Sequence, residues 1–191
     1  MGNRREHAPR VIAGEYRGRK LFYPDRRILR PTMDRTREAM FSSIQDRLRG
    51  GGFADLFCAA GGVGIEALSR GAARVDFVEC HAEVIDYLRK NLESCGVPPE
   101  QYRIYAGDVF DYINAGALGN PALNVVFADP PYDSGAGARL LDHLRLTAYD
   151  NLELFILEHR HPVDTGPLGG LEYNRTKKFG DSLLSYWERN V

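Results

Sequence analysis

The chain has 191 residues, 25 Lys and Arg against 26 Asp and Glu, and a formal net charge of −1. Its 43% hydrophobic and 27% charged residues describe a single soluble globular domain with material for a sizeable core, which excludes a disordered chain. No apolar run approaches the roughly 18–20 residues of a bilayer-spanning helix, the charged start before Val11 reads as no secretory signal, and Cys58, Cys80 and Cys95, at no metal-ligand spacing, read as reduced thiols of a cytoplasmic protein.

The small net charge conceals an asymmetry. Residues 1–37 carry eleven Lys and Arg against four acids, and the remainder is correspondingly acidic. A basic arm on an acidic body points to a polyanionic partner. Arginines set against several phosphates would make affinity fall steeply with salt. A solvated tail has the same charge, but this arm carries the marks of folded structure. Val11-Ile12-Ala13-Gly14-Glu15-Tyr16-Arg17-Gly18-Arg19-Lys20-Leu21 reads as a short strand, a turn and a second strand, a hairpin. Arg30-Pro31-Thr32 then leads into a predicted helix over Met33–Leu48. In that helix Met33, Arg37, Met40, Phe41, Ile44 and Leu48 share one stripe, with a long arginine among apolar neighbours. Thr32 or Asp34 can cap the first turn. Residues 1–49 are thus a basic hairpin-and-helix extension and residues 50–191 the main domain.

Gly50-Gly51-Gly52 breaks the chain after that helix. Strands are then predicted over Phe53–Cys58, Ala73–Glu79, Tyr102–Tyr105, Leu123–Ala128 and Leu152–Leu157. They alternate with helices over Gly64–Arg70, Ala82–Ser94, Val109–Asn114 and Ala136–Leu146. Leu123–Ala128 is nearly all apolar and is therefore placed at the centre of the sheet. Leu171–Lys178 and Leu183–Glu188 close the chain as a hairpin about Phe179-Gly180-Asp181. The pattern is α/β: a mostly parallel sheet covered by helices on both faces, with an antiparallel C-terminal pair.

Ligands of such sheets sit beyond the carboxyl ends of the strands. After the first strand comes Asp55-Leu56-Phe57-Cys58-Ala59-Ala60-Gly61-Gly62-Val63-Gly64. Small residues there let the backbone approach a ligand beside a helix N-terminus, or equally serve tight strand–helix packing. The loop does not spell the dinucleotide fingerprint. Glu79 ends the second strand, where an acid can accept from both hydroxyls of a ribose. Asp108 follows the third, where it can bond the amine of an adenine or cap the next helix. Together these describe a pocket for an adenosine-containing cofactor.

The most specific signal follows the fourth strand: Asp129-Pro130-Pro131-Tyr132. Two prolines stiffen the backbone and remove its donors. What remains is the Asp129 carboxylate, the Pro130 carbonyl and the flat face of Tyr132. Two acceptors aimed at an exocyclic amine of a planar base favour the tetrahedral nitrogen that attacks an electrophilic methyl group.

With these motifs the chain resembles the bacterial 16S rRNA guanine-N2 methyltransferases of the RsmD type. The Arg10–Leu21 segment is similar to that family's N-terminal hairpin. Arg30-Pro31-Thr32-Met33-Asp34-Arg35-Thr36-Arg37-Glu38 resembles the entry to its first helix, Asp55–Arg70 its cofactor loop, and Lys178-Phe179-Gly180-Asp181 its C-terminal hairpin. The resemblance implies a class I, Rossmann-like fold with a seven-stranded sheet. It implies S-adenosylmethionine as methyl donor, and the 2-amino group of a guanine in 16S rRNA, within a small-subunit particle, as acceptor. It places Asp55, Phe57, Ala59, Gly61 and Gly64 around the methionine part, Glu79 on the ribose, Asp108 and Val109 near the adenine, and Asp129 to Tyr132 on the guanine. Residues 50–191 become the methyltransferase domain. The arm supplies the RNA contacts, assigned to Arg17, Arg19, Lys20, Arg30, Arg35 and Arg37. No metal and no membrane are expected, and the protein is expected to act as a monomer.

Two positions depart from the family pattern. Ala59 stands where a glycine is usual, which at positive φ costs on the order of 1 kcal/mol. His81 stands where an acidic or amide residue is common. Two other readings compete with the first: amino-group methylation of another nucleic acid, at adenine N6, and a non-catalytic rRNA-binding assembly factor on a methyltransferase fold. A nicotinamide-linked oxidoreductase lacks the fingerprint glycines. The five histidines, His7, His81, His143, His159 and His161, form no clear metal set.

Overall fold

Runs rich in β-branched and aromatic residues give the strands β1 (Gly52–Leu56), β2 (Arg74–Glu79), β3 (Tyr102–Ala106), β4 (Leu123–Ala128), β5 (Leu154–His159), β6 (Glu172–Phe179) and β7 (Ser182–Glu188). Helical periodicity gives α1 (Asp34–Leu48), α2 (Gly62–Ser69), α3 (Ala82–Cys95), α4 (Val109–Asn114) and α5 (Ala136–Leu146). The computed structural model describes residues 9–24, 34–132 and 134–189. Arg30, Thr32 and Met33, for which the sequence suggests roles, lie outside the described residues.

The strands form one seven-stranded sheet in the order β3-β2-β1-β4-β5-β7-β6. Strands β1 to β5 pair in parallel, β7 joins β5 antiparallel, and β6 pairs antiparallel with β7. This is the class I architecture that the resemblance implied, with β4 at the centre. Each face of the sheet has its own core. On one, Phe53, Val75, Phe77, Val125, Phe127 and Ile156 meet α1, α2 and α3; on the other, Leu56, Val78, Val126, Phe155 and Leu157 meet α4 and α5. No helix among the described residues is long and apolar enough to cross a membrane.

Helices α4 and α5 and strand β4 have the predicted bounds residue for residue. Strand β1 stops at Leu56 rather than Cys58, because Phe57 (φ 59°) and Ala59 (φ 49°) leave the extended region. Strand β5 starts later than expected, at Leu154, and continues to His159.

The N-terminal segment corrects the expected hairpin. It is a turn-rich loop closed by a single antiparallel bridge, Arg10 to Lys20, and by Val11 N donating to Arg19 O at 2.9 Å. It lacks strands because its backbone pairs with α2 instead. Glu66 accepts from Ile12 N at 2.7 Å and Ala13 N at 3.1 Å, while Ser69 accepts from Tyr16 N through its hydroxyl and from Glu15 N through its carbonyl. Buried Glu66 is neutralised by Arg70 at 2.7 Å. At Gly14, which has φ 84°, a Cβ would lie 1.7 Å from the Ser69 carbonyl oxygen, so only glycine fits that approach. Val11, Tyr16 and Leu21 enter the same core as α1 and α2. A second clamp ties this segment to the loop after β1: Asn91 of α3 pairs with both backbone groups of Phe22 and donates to Ala60 O at 2.8 Å.

Candidate active site

Side chains alternate across a strand, so Asp55 shares the face of Phe53, Glu79 that of Phe77, Asp129 that of Phe127 and Glu158 that of Ile156. All four carboxylates therefore stand on the α1–α3 face, at the carboxyl ends of the adjacent strands β2, β1, β4 and β5. The register Leu56 with Val78 and Ala128, and Ala128 with Leu157, sets Glu79, Asp129 and Glu158 in one row, with Asp55 two positions below.

A pocket opens in front of this row. Tyr23, Arg37, Asp55, Phe57, Cys58, Ala59, Gly62, Val63, Phe127 and Asp129 line it. It brings together Asp55, Phe57, Ala59 and Asp129 of the expected site. The buried Asp55 carboxylate accepts from Gly64 N at 2.8 Å. Burial, with the charge of Glu79 added and the Gly64 bond opposing, pushes it up to about 7. The glycines that follow have packing roles as well. A Cβ at Gly61 would meet the Leu88 side chain at 2.3 Å, and one at Gly64 the Phe77 ring at 2.3 Å. At Gly62 a Cβ would strike the Tyr23 hydroxyl at 2.2 Å.

Glu79, Asp108 and Val109 lie outside that lining. Glu79 accepts from Ala59 N at 3.1 Å and from Cys80 N and His81 N at 2.9 Å each, and its Oε1 is 2.9 Å from His81 Nδ1. Asp108 caps α4, accepting from Phe110 N at 2.7 Å, and Val109 is buried in the second core. Among the described residues, Glu79, Cys80 and His81 form the one group whose donor atoms are close enough for a metal ion, within 4.8 Å of one another. They are consecutive residues at the junction of β2 and α3.

Arg37, assigned to the RNA contacts, is buried and cannot present its guanidinium to a polyanion at the surface. It is 2% exposed and donates to Gly62 O at 3.0 Å, to Arg10 O at 2.7 Å and to Asp34 at 2.8 Å. Its Nε is buried without a partner. Its place on the apolar stripe of α1 carries it inward, where it lines the same pocket as Asp55 and Asp129. Arg17, Arg19, Lys20 and Arg35 are exposed, as a polyanion contact requires. Sequence reasoning missed Tyr23, whose hydroxyl burial pushes up to about 12 against the opposing charge of Arg37.

At the other end, Asp129 N donates to Leu56 O at 3.3 Å and so holds the motif to the sheet. Burial and the charges of Glu158 and Asp55 drive its carboxyl well above the ordinary range, with Arg160 opposing. Pro130 is buried and Pro131 exposed. The Tyr132 hydroxyl donates to Glu158 Oε1 at 3.3 Å, and the Arg160 guanidinium lies 4.1 Å from its ring centre. Glu158, 2% exposed, was also missed; the only signal was an acid near the end of an otherwise apolar strand. The ensemble is rich in acceptors, with a buried cation at one end. It suits a zwitterionic ligand beside an amine-bearing one.

Both the strained loop and the buried acid have measurable consequences. Replacing Ala59 by glycine relieves a left-handed alanine but loosens the unfolded chain, for a net gain of about 0.5–1 kcal/mol in chemical denaturation. The raised carboxyl of Asp55 adds stability in full below its unfolded value near 4, and that contribution is lost as pH rises through about 7. Asp55→Asn is therefore expected to flatten the fall in unfolding free energy between those values. An unchanged slope would exclude the assignment.

Residues 9–188 match the family model described as Conserved hypothetical protein 95. The ribosomal RNA small subunit methyltransferase D of Haemophilus influenzae is 37% identical over 123 residues, 64% of this chain and 63% of its own length. The Bacillus subtilis protein YlbH is 31% identical over 184 residues, 94% of this chain and 98% of its own length. The chain thus spans less than two thirds of the first relative and nearly all of the second. Among solved structures, the Escherichia coli methyltransferase yhhF superposes with a TM-score of 0.74 at 30% identity, covering 95% of this chain and 97% of that one. The acceptor motif, the sheet order and these matches agree: the chain belongs to the Conserved hypothetical protein 95 family, of RsmD-type methyltransferases.

Proposed function

We propose that the protein is an S-adenosylmethionine-dependent methyltransferase that modifies the 2-amino group of a guanine in 16S rRNA, in the cytoplasm and on a small-subunit particle. The observation that carries this reading is the position of Asp129. It lies at the end of β4 and also lines the pocket formed by Asp55, Arg37 and Tyr23.

The residues of the pocket fit the cofactor. A methionine head group is a zwitterion, and the pocket offers one wall of each sign. Asp55 would hold the α-ammonium, and the orphaned Nε of Arg37 with the Tyr23 hydroxyl would hold the carboxylate. Gly62 leaves the room between them. Glu79 would take the ribose hydroxyls, with Asp108 and Val109 toward the adenine. When bound, the cofactor supplies a methyl group made electrophilic by the sulfonium sulfur.

The chain's own residues prepare the nucleophile. A guanine unstacked from its RNA lies against Tyr132, whose ring is already covered on one side by Arg160. The Asp129 carboxylate and the Pro130 carbonyl accept the two amine hydrogens and localise the nitrogen lone pair. As the nitrogen takes up the methyl group from the sulfonium, positive charge would build on it beside the largely buried Asp129 carboxylate. Burial raises the proton affinity of Asp129, which suits it to receive the proton the nitrogen releases. Around the base, Arg17, Arg19, Lys20 and Arg35 grip phosphates; Arg30 remains part of the same assignment.

Asp129→Ala is expected to bind S-adenosylmethionine in calorimetry, with NAD as the negative control, yet to lose methyl transfer by about 100-fold or more. Undiminished turnover would refute the mechanism. Charge reversal at Arg17 and Arg19 is expected to weaken RNA binding and to lower the salt slope by about 1 for each phosphate that is no longer gripped. Binding that is unchanged across salt would remove the arm from the interface.

A further inference from the structure

The proposed mechanism leaves the buried acid nearest Asp129 along the sheet unused. Glu158 stands beside Asp129 in the same row of the sheet, on the same face, at the end of the neighbouring strand. Its Oε1 accepts the Tyr132 hydroxyl at 3.3 Å, so its carboxylate lies at the edge of the ring on which the base would stack. Two acids side by side on adjacent strands present acceptors in one row. A carboxylate accepts several hydrogen bonds at once, so the bond from Tyr132 is compatible with another from a base.

The Watson–Crick edges of the purines answer such a wall differently. Guanine presents its 2-amino hydrogens and, directly beside them, the N1–H: an unbroken row of donors. Adenine places the bare acceptor N1 next to its amine, and that atom would face a carboxylate. Resting on the reading under Proposed function, we infer that Glu158 is the base-selecting residue: it accepts the guanine N1–H while Asp129 and Pro130 hold the 2-amino group. Adenine is rejected because its N1 would confront Glu158 with two acceptors and no proton between them. The cost of such a mismatch in a buried site is large, and sites built to bond a polar hydrogen discriminate strongly against analogues that lack it.

2-Aminopurine separates the two roles. It keeps the nucleophilic 2-amino group of guanine but has an unprotonated N1. The test uses 16S rRNA reconstituted into small-subunit particles, with the guanine that the wild-type protein methylates replaced by 2-aminopurine. The wild type is expected to methylate guanine at least about 100-fold faster than 2-aminopurine. Glu158→Gln keeps the size of the side chain and its bond to Tyr132, and its amide can donate to an unprotonated N1. It is expected to bring the two rates to within about tenfold, mainly by slowing guanine, with S-adenosylmethionine binding unchanged in calorimetry. Equal wild-type rates on the two bases would overturn the inference without any variant, and so would an undiminished preference in Glu158→Gln. In both cases the proposed reaction would stand. A wild-type protein that binds the cofactor but methylates no guanine in the unsubstituted particles would overturn the proposed function, and this inference with it.

Discussion

Four carboxylates on one face of the sheet, at the ends of four neighbouring strands, set the terms for everything around them. Burial raises the cost of ionising Asp55 and Asp129, the charge of Glu79 adds to it at Asp55, and those of Glu158 and Asp55 add to it at Asp129. The fold meets part of that cost itself. Gly64 N–H reaches Asp55, three backbone N–H groups reach Glu79, and the Tyr132 hydroxyl reaches Glu158. Arg160 moderates Asp129. The remaining cost appears as the high proton affinity of Asp55 and Asp129. Under the proposed function, a ligand with an ammonium, a sulfonium and a base carrying N–H donors would satisfy the same groups without protons.

This constraint explains why the basic arm is built into the domain. Arg37 is the buried cation on the pocket wall, and it belongs to α1, ahead of the first strand. It is held by Gly62 O from the cofactor loop and Arg10 O from the N-terminal loop. Glu66, Ser69 and Asn91 fasten the rest of that loop to α2 and α3. One short segment therefore turns Arg17, Arg19 and Lys20 outward while its Arg10 carbonyl holds Arg37 and its Tyr23 lines the pocket. The two faces share hydrogen bonds, so the segment cannot shift toward a polyanion without moving groups that wall the pocket.

The alternation of strands and helices is readable because each element buries one regular stripe, and α4, β4 and α5 show it without error. What the residue string conceals depends on neighbours distant in sequence. The hairpin expected at Val11–Leu21 has the right turn residues, but Glu66 and Ser69, more than fifty positions away, claim its backbone N–H groups. Charge alone groups Arg37 with the exposed arginines, whereas its position on an apolar stripe decides its fate. Tyr23 has no local pattern, and Glu158 reads as the polar end of a buried strand until β4 sets Asp129 beside it. Asp55, Ala59 and Asp129 are legible because a strand end followed by a small-residue or Pro-Pro loop already states where the backbone turns. The positive φ of Ala59 falls where the sequence reading expected the loop to favour a glycine.

The same geometry separates this pocket from a dinucleotide site. In the nucleotide-binding form of such a sheet, the first helix after β1 turns its free N–H groups toward a pyrophosphate, and the helix dipole reinforces the attraction. Here Gly64 N–H in the first turn of α2 is taken by the Asp55 carboxylate, which is buried against the pocket. A phosphate brought to that helix end would meet an acid of its own sign in a poorly solvated place. An ammonium brought there would find a carboxylate already oriented by the helix. One side chain on β1 thus disfavours a dinucleotide at this helix end and favours an amino-acid head group, for whose carboxylate the buried guanidinium of Arg37, in the same pocket lining, would be the partner under the proposed function.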